Sequence, residues 1–259
     1  MRVTTPKEKP DFREYDGPDR IVSSFEMLDF IKKDEHSNII IKSKIPGLDA
    51  ATGGFQTGEL IALSGPTKNG KTLFSQTLTR NFHDQQFFSL WFSFELSPKQ
   101  FLDCFGEPHL IYMPKILRSA DLNWLEERII ESLQKYNTRV VFADHLHYLL
   151  DLARTRNPSI EIGQVIRRLK LLAVHEKLVI FIMCHTNKSG MDNLSHLSIR
   201  DSSFVAQESD CVLMIRRTPK EGEKSAQVRV ELHRRTGTFE RVINLIKING
   251  YLEEANKNG

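Results

Sequence analysis

Four short stretches of the chain are almost continuously apolar: Glu59-Leu-Ile-Ala-Leu-Ser64, Phe88-Ser-Leu-Trp-Phe-Ser-Phe94, Arg139-Val-Val-Phe-Ala143 and Leu178-Val-Ile-Phe-Ile-Met-Cys184. None alternates between apolar and polar positions, as a strand with one wet face would. Runs of this kind predict strands buried on both faces. The segments between them repeat at helical spacing. Leu73 to Asn81 is one such segment. A second opens at Ser97, which can cap it, with Pro98 suited to the first turn and Gln100 completing a capping box. Asp121 to Tyr136 is a third, with Leu122, Leu125, Ile129 and Leu133 on its inner face. Ser159 to His175 is a fourth, its apolar residues including Ile160, Val165, Leu169 and Leu172.

Strands that alternate with helices predict an α/β fold, a mainly parallel central sheet with helices on both faces. A further short strand is expected at His109 to Met113. Ile45 to Asp49 leads into a turn-rich hairpin at Gly53 to Gly58. Cys211 to Ile215, Ala226 to His233 and Arg241 to Ile248 read as closing strands. The turns between them are short, which predicts antiparallel pairing.

The first 20 residues differ in character. They carry five positive and five negative charges, with prolines at 6, 10 and 18. That composition suits an extended arm. Ser24 to Lys33 follows as a short amphipathic helix with Phe25, Leu28 and Ile31 on one face. It would pack on its own domain or on a neighbouring subunit. The expected division is an arm and helix over residues 1–43 and one large domain over residues 44–259.

Composition narrows the function only a little. A net charge of +3 neither requires nor excludes a nucleic-acid partner, so any basic surface is local. No apolar run approaches the roughly 18 residues of a membrane span. The N-terminus has no apolar signal core. Cys104, Cys184 and Cys211 lie far apart in apolar surroundings. They fit reduced core thiols in a cytoplasmic or equivalent reducing compartment.

Candidate chemistry changes the picture more. Gly65-Pro66-Thr67-Lys68-Asn69-Gly70-Lys71-Thr72 reads G-x-x-x-x-G-K-T. This spacing lets backbone N–H groups wrap a triphosphate, with Lys71 toward the β- and γ-phosphates and the Thr72 hydroxyl toward Mg2+. It lies between a predicted strand and a predicted helix, as the motif requires. Three further residues fall where ligands sit in such sheets, at the carboxyl ends of strands. Asp144 follows four apolar residues and suits the magnesium ion. Glu95 closes a strand expected beside the P-loop strand, and could deprotonate an attacking water. His185 could touch the γ-phosphate. Taken singly, each also fits a plain role: a cap, a solvated strand end, a structural histidine.

His233 and Arg235 share one face of a late strand. Arg235 could reach a neighbouring subunit's phosphate, or belong to a solvated basic face. Two polar loops carry Arg154 and Arg156, and Lys188, Arg200, Asp201 and Ser203. With few aromatics, they suit contacts to a nucleic-acid backbone more than base stacking.

In order, these motifs resemble the RecA-like superfamily, and above all the ATPase domain of hexameric replicative helicases of the DnaB family. The resemblance spans roughly residues 45–250. It rests on Gly47-Leu-Asp49 with Gly53-Gly54 and Gly58-Glu-Leu, the P-loop, Phe94-Glu95-Leu-Ser97, Asp144-His-Leu-His147, Ile199-Arg-Asp-Ser-Ser203 with Glu208-Ser-Asp210, and His233-Arg-Arg-Thr-Gly237. It implies ATP as substrate with Mg2+, Glu95 as catalytic base, and Arg235 as a finger acting on the neighbour's ATP, with His233 beside it at the nucleotide. The loop from Arg200 to Ser203 would hold single-stranded DNA. Implied partners are a homohexameric ring, the DNA, and a loader or primase. The chain departs from the family in carrying His185 and His147 where glutamine is usual, His233 for lysine and Ser203 for glycine. Only the short arm and helix stand before the ATPase domain in this sequence. Two other classes remain open: a RadA/KaiC-like recombination or mediator ATPase, and a nucleotide-switched assembly factor without unwinding activity.

Overall fold

The computed structural model describes residues 13–34, 39–105, 109–150, 157–185, 203–218 and 225–255. The chain divides into two compact units, 1–37 and 38–259. In the first, helix α1 (Ser24–Lys33) starts at a reciprocal cap: the Ser23 hydroxyl accepts from Glu26 N–H, and the Glu26 carboxylate accepts from Ser23 N–H. No residue of α1 is buried.

The second unit begins earlier than residue 44, because Ile41 is part of its core. Strand β1 (Ile40–Ile41) pairs antiparallel with β2 (Phe55–Gln56). Between them the chain forms helix α2 (Pro46–Thr52), where the sequence reading assigned no element to the lead-in. Pro46 presets the first turn, and Gly53 at φ 72° ends the helix in a left-handed cap. Then come β3 (Leu60–Gly65), α3 (Lys71–His83), β4 (Ser89–Ser93), α4 (Pro98–Asp103), α5 (Leu122–Tyr136) and β5 (Val140–Asp144). A single 3-10 turn, Leu146–Leu149, leads toward α6 (Pro158–Glu176) and β6 (Val179–His185). The last elements are α7 (Ser203–Glu208), β7 (Cys211–Arg217), β8 (Ser225–His233), β9 (Thr238–Ile248) and β10 (Tyr251–Glu254).

Eight strands form one sheet in the order β10-β9-β8-β7-β3-β6-β5-β4. Strands β3, β4, β5, β6 and β7 run parallel, and β8, β9 and β10 are antiparallel. The α/β reading and the antiparallel C-terminal strands are both found. One placement differs. β4 is the edge strand, and the P-loop strand β3 lies between β6 and β7. His109 to Met113 is not a strand; only Tyr112 bridges to Leu90 at that edge. α7 and β10 are additions to the sequence reading.

Alternate residues of the strands serve two cores. On one face Trp91, Phe142 and Phe181 stand side by side in register on β4, β5 and β6, with ring centroids 4.6 and 4.7 Å apart. Phe74, Leu78 and Phe82 of α3 pack in this core. The Trp91 indole N–H donates to Thr79 Oγ1 at 3.0 Å, so even its polar atom is satisfied. On the other face Leu60, Ala62, Val141 and Ile180 join Leu125 and Ile129 of α5 and Ile166 and Leu169 of α6. Covering both faces fixes the strand ends as the place where polar side chains can gather. Cys184 and Cys211 are buried as expected, whereas Cys104, at the end of α4, is exposed.

Candidate active site

The P-loop joins β3 to α3 by two glycines with different tasks. A Cβ on Gly65 would stand 2.2 Å from the backbone oxygen of Ile215, so the strand pairing itself excludes a side chain. Gly70 meets nothing within 4 Å but has φ +94°, which a side chain disfavours. Asn69 ties the loop down: its Oδ1 accepts from Arg217 N–H at 2.9 Å and its amide donates to Thr67 O at 3.1 Å. Pro66 O accepts from Asn69 N–H at 3.3 Å, and Lys68 takes φ 64°.

Lys71 and Thr72 open α3 beneath this loop. The Lys71 ammonium is largely buried and donates to Gly65 O at 2.9 Å, to Pro66 O at 3.2 Å and to His185 Nδ1 at 3.3 Å. Thr72 Oγ1 donates to Asp144 Oδ2 at 3.0 Å. Asp144 is almost fully buried at the end of β5. Glu95 lies just beyond β4 and is more open. Its Oε1 is 2.8 Å from His145 Nδ1 and 3.5 Å from His185 Nε2. Three strand ends therefore bring Asp144, Glu95 and His185 to the P-loop, as the sequence predicted, although β4 is not adjacent to β3. Glu95 reaches across because His145 follows β5 and His185 ends β6, the strands that intervene.

Electrostatics follow from this crowding. Burial, and then the negative charge of Glu95, push Asp144 up to about 6, against the Thr72 hydrogen bond and the Lys71 charge. Burial also lowers Lys71, although Asp144 and Glu95 oppose it. His145 is pushed down to about 3 by burial and by His185, His147 and Lys71 around it. His185 is lowered by burial and by Lys71, against the pull of Glu95. Among the described residues no carboxylate oxygen makes a direct ion pair with the Lys71 ammonium, which hydrogen-bonds instead to Gly65 O, Pro66 O and His185 Nδ1. A ligand that carries a cation and an anion together suits both the carboxylates and the lysine. The oxygen donors of Thr72 and Asp144 suit a hard dication. This is the donor set, and the charge deficit, that a metal-bound phosphate fits.

Sequence reasoning did not single out His145. The signal was the adjacent Asp144-His145 pair, which becomes meaningful only once β4 and β5 are paired and Glu95 is brought to the imidazole. It also expected His233 and Arg235 near a nucleotide, and within this chain they are elsewhere. His233 pairs with Cys211 at the start of β7, and Cys211 pairs with Ile61 at the start of β3. That is the end of the sheet opposite the P-loop. His233 is buried, with Nδ1 2.7 Å from Thr236 Oγ1 and Nε2 3.4 Å from Glu59. Arg235 donates to Glu59 Oε1 at 2.7 Å, to Thr52 O at 3.0 Å and to Gly54 O at 2.7 Å, and so anchors the α2–β2 turn. Arg154, Arg156, Lys188, Arg200 and Asp201 lie outside the described residues, and Ser203 opens α7.

No protein-family profile matches this chain, and no curated protein does. Solved structures do. One is an ATPase domain that superposes with TM-score 0.74 at 16% identity, over 90% of this chain and 97% of that one. The fold is that of a DnaB-like helicase ATPase domain. A DnaB-like replicative helicase, solved with its interactions with primase, likewise matches with TM-score 0.74 at 16% identity, over 90% of this chain and 67% of that one. Among the described residues no helix is long and apolar enough to cross a membrane.

Proposed function

We propose that the chain is a ring-forming ATPase motor that moves on single-stranded DNA, in the manner of a DnaB-type helicase. The observation that carries this reading is the convergence of Lys71, Thr72, Asp144, Glu95 and His185 at one end of the sheet. Residues Gly65 to Thr72 would wrap the triphosphate of ATP, with Lys71 leaving its loop carbonyls for the β- and γ-phosphates. Thr72 and Asp144 would hold Mg2+, which supplies charge neutralisation at the phosphates. Glu95, the least buried carboxylate of the group, would take the proton of the attacking water, with His145 beside it at 2.8 Å. His185 touches both Lys71 and Glu95, so it would report phosphate occupancy to the base.

Arg235 supports the ring. Its position opposite the P-loop rules out its own chain's phosphates as the target and favours those of a neighbour in a head-to-tail assembly, a homohexamer by analogy with the family. Arg154, Arg156, Lys188, Arg200, Asp201 and Ser203 belong to the loops that would face DNA in the ring. A primase is the partner class suggested by the DnaB-like neighbour, and a loader is a further partner implied by the family resemblance.

The test is ATP hydrolysis with and without single-stranded DNA, followed by a forked duplex. Stimulation by the single strand together with unwinding supports the motor. Strand pairing without unwinding would move the chain to the recombination class. Hydrolysis indifferent to DNA would leave an ATPase of another kind.

A further inference from the structure

Glu95, His145 and His185 come from three strand ends and face one point. One donor atom from each lies within 4.8 Å of the other two. The Glu95 oxygen is 2.8 Å from His145 Nδ1 and 3.5 Å from His185 Nε2. Zinc bonds of about 2.0–2.1 Å set tetrahedral ligand atoms about 3.3 Å apart, so small side-chain adjustments suffice. The His145 nitrogen adds an independent observation. Nδ1 is buried and, despite its closeness to Glu95, makes no aligned hydrogen bond among the described residues.

Two imidazoles and one carboxylate form a donor set that a borderline dication prefers and a hard Mg2+ does not. This separates the cluster from the oxygen pair Thr72 and Asp144. We propose that Glu95, His145 and His185 form a second, transition-metal site, suited to Zn2+, and that an occupied site silences ATP hydrolysis because the metal takes the Glu95 carboxylate. The site stands on geometry alone. The silencing rests on the reading of Glu95 as the base.

Lys71 gives the site a distinguishing property. An ammonium has donors only, so His185 Nδ1, 3.3 Å away, must accept from it, and the ring proton then sits on Nε2. A metal at Nε2 sends that proton to Nδ1, where it opposes Lys71. The lysine therefore competes with the metal.

The experiment titrates Co2+, and then Zn2+ in competition, into chelator-stripped, nucleotide-free full-length chain, and reads the visible absorption of bound Co2+. One equivalent is expected. Glu95→Gln, His145→Asn and His185→Gln should each weaken binding at least tenfold, the range by which even outer-shell changes act on metal sites. The exposed control His175→Asn should leave it unchanged. Lys71→Ala should tighten it, which a merely structural cluster would not do. Folded wild-type chain that takes up neither metal overturns the site. So does uptake that survives all three ligand substitutions. In a parallel assay with excess Mg2+ and ATP, Zn2+ at saturation of the site should stop hydrolysis. Stoichiometric binding with undiminished hydrolysis would keep the site and overturn Glu95 as base.

Discussion

The Thr72 hydroxyl on α3 donates to the Asp144 carboxylate on β5 at 3.0 Å, across a β6 strand that separates β5 from β3. This bond partly offsets the burial and the Glu95 charge that push the carboxylate up to about 6. A raised carboxylate favours folding at low pH. Its contribution is complete below the unfolded value near 3.8 and is lost as pH rises through about 6. At neutral pH the charge at Asp144 is thus a burden on the metal-free, nucleotide-free fold. Asp144→Asn keeps the shape and removes the charge. It should raise stability in chelator at pH 7.5 by about 1–3 kcal/mol, and the gain should shrink toward zero near pH 4. Denaturant melts of both proteins across pH measure this. A gain that does not change with pH would mean that charge is not its source.

Glu95→Gln leaves the size and polarity of the side chain intact. ATP binding should persist while hydrolysis falls by about two to four orders of magnitude, the range for loss of general-base catalysis. Lys71→Ala should instead weaken nucleotide binding. Nucleotide affinity and single-turnover rate, measured separately, distinguish the two. Near-normal turnover in Glu95→Gln would remove this residue from the mechanism.

The opposite placement of Lys71 and Arg235 makes a sharing test decisive. Homo-oligomers of Lys71→Ala and of Arg235→Ala should both be nearly inactive, the second because an arginine finger contributes ~10³–10⁵ in turnover. In mixed assemblies some interfaces join an intact P-loop to an intact arginine, and ATPase activity should return. The readout is rate against mixing ratio, with co-assembly verified. Because Arg235 also anchors the α2–β2 turn, the variant's melting curve is taken first. A flat, inactive profile in co-assembled mixtures would confine Arg235 to that anchoring role.

Gly65 and Gly70 should fail differently. Gly65→Ala places a methyl against the Ile215 carbonyl, a backbone atom that cannot swing aside. The β3–β7 pairing must shift and the φ of +155° adds backbone strain, at a combined cost of about 3 kcal/mol. Gly70→Ala has open space and pays only for its left-handed backbone, about 1–2 kcal/mol. Equilibrium denaturation should rank them in that order. The reverse order would show that the contact with the Ile215 carbonyl is relieved at little cost.

The sequence by itself determined the elements that depend on neighbours along the chain. Apolar runs marked β3, β5 and β6 because a strand buried on both faces has no polar alternation to show. Reciprocal Ser97 and Gln100 marked the start of α4, and the structure forms that cap. The P-loop was legible because its residues act within one turn of each other. Strand order was not legible, since an apolar run states that it is buried but not beside what; hence β4 was expected next to β3 and stands at the edge. The α2 helix was missed because the seven residues Pro46–Thr52 are too short to show a helical repeat, while burial of Leu48 and Ala51 favoured the helix. His145 acquired its place only when the β4–β5 pairing carried Glu95 to within 2.8 Å of it. Arg235 was recognisable by type, but only the antiparallel return of β8 put it at the far end of the sheet. Contacts between distant segments are set by packing of the whole core, and no local pattern encodes them.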